Sequence, residues 1–287
     1  MARIVVVGVD GSPESAAAAE WAGDEAAAHG AEVRLLDVWQ PPASNVQFSP
    51  APEALRQWEE AQVLDAARKL TARHPGLKVT AEQITGSPAP ALLDAAAAAD
   101  VTVLGSRALG TVSGFLYGSV GLHVVAHSDR PVVLVRAPGD EPSSAGAPVV
   151  LALDLGRPSD ALTQFAFEEA SARVPALRVV HVWDVHRLYG YAGPMLDREI
   201  AEQLRSEQAE QLAQVLTPWR ARFGDVQVSH EVVAGPVTGT LAEVAQEASL
   251  LVVGRRRRHI AVGAHIGPVT HAVVHHAACP VAVVAHD

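Results

Sequence analysis

The sequence predicts an α/β protein of two tandem domains, each a five-stranded parallel sheet flanked by helices, and three observations lead there. Short Val/Leu/Ile-rich runs alternate with Ala-rich helical stretches along the chain, and strands apolar nearly throughout, joined by crossover helices, form parallel sheets covered on both faces. The chain is also written twice: ARIVVVGVD, ending at Asp10, is answered by APVVLALD, ending at Asp154, and RLLDVW, ending at Trp39, by RVVHVW, ending at Trp183. Finally, 287 residues is long for one domain and comfortable for two, at roughly 100 to 200 residues each.

In the first copy the elements follow in order. RIVVVGV is the first strand; Ser12 then caps a helix, Pro13 suits its first turn and Gly30 ends it. The strand EVRLLDVW precedes a helix from Pro52 to Arg73, and KVTAEQI precedes one from Pro88 to Ala98. VTVLG runs into a Gly-rich loop, a helix begins near Ser119, and PVVLVR is the fifth strand. The later segments repeat as the first ones do, with Gly86 answered by Gly235, Gly105 by Gly254 and Pro131 by Pro280. These pairs stand 149 positions apart where the earlier ones stand 144, so the second copy carries five extra residues between its second and third strands. The Pro, Gly and Ser content of APGDEPSSAGAP, Ala137 to Pro148, marks a linker. The expected domains are 1–138 and 147–287.

Composition narrows the function. A formal net charge of −10 opposes sequence-independent binding to DNA or anionic lipid, which rests on a positive surface field. The exception is the run Arg255 to Arg258, which directly follows a strand and lacks stacking aromatics; no nucleic-acid partner is expected of it. No run approaches the roughly 20 apolar residues of a membrane span, and the first residues read as a strand and not as a leader, so a cytoplasmic protein is expected. The single cysteine, Cys279, excludes an internal disulfide and reads as a packed thiol. His271 and His275 share a helix face, but HAVVH lacks the glutamate of a zinc hydrolase, and no metal site is assigned.

Ligands of parallel sheets bind beyond the carboxyl ends of the strands, where Asp10, Trp39, Gly86 and Gly105 fall. The loop after the fourth strand, with Gly105, Gly110, Gly114 and Gly118 before a helix, offers backbone N–H groups and a helix N-terminus to an anion. Glycine spacing alone is weak evidence, and Asp before Gly-Ser is also an ordinary turn residue.

The order strand-Asp-Gly-Ser, a Gly after the third strand, a glycine-spaced loop ending Gly-Ser-Val and a closing Pro-Val-x-x-Val resembles the universal stress protein family, and the whole chain resembles its tandem-domain members. The resemblance implies Rossmann-like domains related by a pseudo-twofold axis, across which the fifth strands pair. It also implies an ATP site of pattern G-x2-G-x9-G followed by Ser or Thr. Here those positions are Gly105, Ala108, Gly118 and Ser119, so one of the four departs. By position, Asp10 would face the ribose, Gly8, Val9 and Val38 the adenine, Leu104, Gly105, Arg107 and Ala108 the sugar and phosphates, and Gly118, Ser119 and Val120 the phosphate tail. Ala108 keeps its N–H, so weakened and not abolished binding is expected.

In the second copy the corresponding residues are Asp154, Val182, Val253, Gly254, Arg256 and Gly267, but Arg257 replaces the second glycine and Pro268 the hydroxyl residue. Proline has no N–H to offer. Arg257 either fills the phosphate pocket or binds phosphates through its donor fork. The implied function is an ATP-binding regulatory module, taking ATP with Mg2+, with the first site intact and the second degraded. Its protein partner is unknown, and association into homodimers is left open. No residue stands out as a base and there is no Walker lysine, so hydrolysis is at most slow. A nucleotide-free interaction scaffold and a slow ATPase are the alternatives.

Overall fold

A computed structural model of the chain describes residues 3–41, 52–106, 119–137, 146–183, 198–257 and 266–287. The chain forms two compact units, and each is a parallel sheet with helices packed against it. The first unit comprises β1 (Ile4–Gly8), α1 (Pro13–His29), β2 (Glu32–Trp39), α2 (Pro52–Arg73), β3 (Val79–Thr85), α3 (Pro88–Ala97), β4 (Val101–Gly105), α4 (Ser119–His127) and β5 (Val132–Val135). Its strand order is β3-β2-β1-β4-β5, all parallel. The chain therefore runs outward from β1 to β3, returns past β1 and continues to β5. The switch of direction lies between β1 and β4, where open α/β sheets leave a crevice at the carboxyl ends of their strands.

The second unit repeats this plan with β6 (Val149–Ala152), α5 (Asp160–Ala172), β7 (Ala176–Trp183), α6 (Arg198–Arg222), β8 (Gln227–Ala234), α7 (Val237–Val244), β9 (Leu250–Arg256), α8 (Pro268–His276) and β10 (Val281–His286). The order β8-β7-β6-β9-β10 matches that of the first unit. The expected tandem of Rossmann-like sheets is thus present.

Local chemistry explains the elements. Ser12 caps α1, its side chain accepting from Ser15 N–H, Pro13 opens the helix, and Gly30 closes it in the left-handed region at φ 61°. β1, β4, β5 and β6 are buried almost end to end, as strands covered on both faces must be. α1 packs on β1 and β4, α2 on β2 and β3, and α3 against α4. In the second unit Phe167 of α5 is fully buried; its ring stacks on Trp219 of α6 with centroids 5.9 Å apart and lies 5.3 Å from the tilted ring of Phe223, just after that helix. No helix among the described residues is long and apolar enough to cross a membrane.

Candidate functional site

A cleft opens at the carboxyl ends of β1, β2 and β4. Gly8, Val9, Asp10, Val38, Leu104, Gly105 and Val120, seven of the residues singled out from the sequence, line it together. Ser119 is the first residue of α4, directly before Val120. Arg107, Ala108 and Gly118 lie outside the described residues. Also in the lining, and not anticipated, are Leu36, Pro88, Leu92, Glu14, Ser15 and Asp37. Leu36, Leu92, Leu104 and Val9 give the cleft apolar walls, while its polar side chains, Asp37 of β2 apart, gather at the start of α1.

The turn from β1 into α1 is fixed by a small set of hydrogen bonds. Val9 N–H continues the ladder by donating to Leu36 O at 2.9 Å. Asp10 Oδ1 accepts from Ser12 N–H at 3.0 Å and from the Ser12 hydroxyl, and Asp10 N–H donates to Ser15 Oγ at 3.3 Å. Ser15 N–H in turn donates to Ser12 Oγ at 3.1 Å. Asp10 thus holds the turn whether or not a ligand is present, and its side chain stands exposed at the cleft. Asp154 makes the equivalent turn, accepting from Gly156 N–H at 3.0 Å, so the repetition of this aspartate has a local structural cause. Ser12→Ala removes a cap oxygen and is expected to cost about 1 kcal/mol, read as a lower urea midpoint at unchanged slope.

Gly105 has a close neighbour that requires it. A Cβ there would lie 2.7 Å from both Glu14 C and Ser15 N, so only glycine lets the first turn of α1 rest on the end of β4. That contact sets one wall of the cleft.

Asp37 is the main residue that sequence reasoning passed over. It is 4% exposed, pairs across the sheet with Gln83 of β3, and its Oδ2 accepts from Gln83 Nε2 at 2.7 Å. The same amide donates to Arg56 O of α2 at 3.2 Å. Burial raises the Asp37 pKa above the ordinary aspartate value; hydrogen bonds from Gln83 and the Val38 backbone pull it back, and the charge of Asp10 adds to the rise. Glu59 of α2 is raised too, by burial and then by the charge of Asp37. A signal was present in the sequence: within the matched strands RLLDVW and RVVHVW, a titratable residue interrupts an apolar run at the same place, Asp37 in one and His181 in the other.

The second unit differs at the corresponding places. β9 does not end at Gly254 as β4 ends at Gly105; it runs on through Arg255 and Arg256 because Ala285 and His286 lengthen β10 and supply pairing partners. Val253 and Gly254 therefore lie inside a strand and not at its exit. The arginine run is divided by this geometry, with Arg255 buried at 6% exposure and Arg256 exposed. Arg257 N–H donates to His286 O at 2.7 Å, and its guanidinium pairs with Asp287 at 3.5 Å. A Cβ on Gly254 would meet not a helix turn but the His286 ring, at 2.6 Å from Nε2. Gly267 and Pro268 open α8, and Thr270 Oγ1 donates to Gly254 O at 3.0 Å. At the end of β7, Val182 follows His181, whose Nδ1 stands 2.9 Å from Leu153 O; Asp37 of the first unit turns instead to Gln83.

An adenine nucleotide fits the donor set of the first cleft. Apolar walls suit a base, Asp10 offers a carboxylate to sugar hydroxyls, and the first turn of α4 presents backbone N–H groups that a helix leaves unpaired.

Comparison with known proteins gives a consistent picture. The model of the Universal stress protein family matches residues 1–136 and 147–285. A universal stress protein of Mycobacterium tuberculosis is 33% identical over 287 residues, spanning 97% of this chain and 96% of that protein. One of Mycolicibacterium smegmatis is 32% identical over 288 residues, spanning 98% and 96%. Among solved structures, the crystal structure of a universal stress protein from Archaeoglobus fulgidus matches with a TM-score of 0.70 at 19% identity, over 99% of this chain and 98% of that one. At that identity the likeness speaks for the fold alone.

Proposed function

Because the chain belongs to the universal stress protein family, we propose that its first unit binds ATP with Mg2+ in the cleft at the ends of β1, β2 and β4, and that the second unit holds no nucleotide. The protein then acts as a regulatory module whose nucleotide state is sensed by a protein partner. The observation that carries this reading is the convergence on one cleft of Gly8, Val9, Asp10, Val38, Leu104, Gly105 and Val120, which come from three strands and a helix far apart in sequence. The carboxylates of Asp10 and Glu14 also line the cleft, and an anion entering beside them is favoured when a divalent cation accompanies it. Arg107, Ala108, Gly118 and Ser119 complete the phosphate end in this reading, and hydrolysis is at most slow.

The test is to denature freshly purified protein and quantify the nucleotide released, alongside calorimetric titration with Mg-ATP. Bound ATP that is lost, or an affinity lowered about tenfold or more, in Asp10→Ala supports the site; one such contact to a charged group is worth about 1.5–3 kcal/mol. No released nucleotide together with no binding of Mg-ATP would favour the nucleotide-free scaffold. Fast steady-state phosphate release that vanishes in Asp10→Ala would instead make the protein an ATPase.

A further inference from the structure

The cleft contains a carboxyl that its other features do not explain. Asp37 is buried on β2, one residue before Val38, and lines the cleft. The hydrogen bonds to its carboxyl come from amides, the Gln83 side chain at 2.7 Å and the Val38 backbone N–H. The ionisable groups around it on neighbouring elements are chiefly acidic: Asp10 from the turn after β1, Glu59 from α2, and Glu14 of α1 in the lining of the same cleft. The nearby cation on α2, Arg56, is engaged by Glu53 at 2.8 Å and reaches only the Gln83 amide oxygen, at 3.5 Å. On β3, Glu82 is paired with Arg34 of β2. Burial and acidic neighbours favour the neutral form of this carboxyl more than water does, while its amide partners favour the charged one, and the balance of the two lies above the ordinary aspartate value.

We propose that Asp37 links occupancy of the cleft to the uptake of a proton, so that nucleotide affinity rises as pH falls. The inference rests on the nucleotide reading above. A base lying beside Val38 removes the remaining water from Asp37, and the net negative charge that ATP keeps after pairing with Mg2+ adds to this; both disfavour the carboxylate and favour the neutral acid. Burial and Asp10 have already raised the pKa of the empty site, and the ligand raises it again. The sign follows from linkage. Below the pKa of the empty site the carboxyl is neutral in both states and affinity is highest. Between the empty-site and occupied-site pKa values affinity falls with rising pH, and above both it is level and lowest. Each unit of difference between the two values corresponds to a tenfold change in affinity.

The experiment is calorimetric titration of the full chain with Mg-ATP from pH 5 to 8, in buffers of different ionisation heat, for wild type, Asp37→Asn and Gln83→Leu. Protonation of the nucleotide's own phosphates is common to all three and cancels in the differences. Wild type is expected to take up more protons than Asp37→Asn and to lose about three- to tenfold more affinity across the range; the asparagine variant should keep the tighter, low-pH affinity. Gln83→Leu removes a hydrogen bond that favours the carboxylate, so its pH dependence should persist and move to higher pH, a shift that mere damage to the cleft does not produce. Equal proton uptake by wild type and Asp37→Asn, or an unmoved profile in a folded Gln83→Leu, would overturn the linkage while leaving the site standing. No binding of Mg-ATP by any of the three at any pH would overturn the nucleotide reading and this inference together.

Discussion

Gly105→Ala is expected to destabilise the protein by about 1–3 kcal/mol, the usual cost of forcing an extra methyl into a packed contact, and to weaken nucleotide binding with it. The added Cβ would fall 2.7 Å from Glu14 C and Ser15 N and 2.9 Å from Glu14 Cβ. Two of these atoms are backbone in the first turn of α1, so no side-chain rotation relieves the clash and the turn must move. That turn carries Ser15, which is tied by hydrogen bonds to Asp10 and Ser12 just before the helix, and all three line the cleft. Gly254→Ala is the internal control. Its Cβ would meet the far edge of the His286 imidazole at 2.6 Å, with Leu162 Cδ2 at 3.3 Å, and a side-chain ring near the end of the chain can swing aside. The cost should therefore be clearly smaller. Urea unfolding of both variants checks the stabilities and Mg-ATP titration of Gly105→Ala the binding; equal destabilisation by the two substitutions would mean that the contact between β4 and α1 is not what demands glycine here.

Most of the first unit was legible because its determinants are local. The cap at Ser12, proline at the start of α1, glycine at its end and the apolar strand runs are all encoded within a few residues of where they act. The lining residues Gly8, Asp10 and Gly105 sit at strand ends, which the repeat itself locates. What escaped depends on pairing between distant segments. Asp37 looks like any polar residue in a strand until β3 brings Gln83 opposite it and α2 covers it. Pro88 and Leu92 enter the cleft only because α3 packs beside α4. Gly105 and Gly254 are matched in sequence, yet one faces a helix turn and the other an imidazole, since the extra reach of β10 through His286 cannot be read from the β9 segment alone.

One nucleotide per chain, not two, is the second expected result, and the divergence at β9 is the reason. In the first unit β4 ends at Gly105, which lines the cleft. In the second, Arg255 and Arg256 stay paired with Ala285 and His286, and the exit from the sheet comes two residues later. The carbonyl of Gly254 is taken by Thr270, and the space above Gly254 by His286. Pro268 at the first position of α8 removes an N–H that a phosphate needs. Replacing Arg257 by glycine and Pro268 by serine restores the family pattern in sequence, but the lengthened strand pair and the His286 ring remain. The doubly substituted protein is accordingly expected to release no more than one nucleotide per chain on denaturation, the count also expected of the wild type. A count of two from the wild type would show that the second unit binds despite these contacts; a rise from one to two in the variant would show that Arg257 and Pro268 alone closed it.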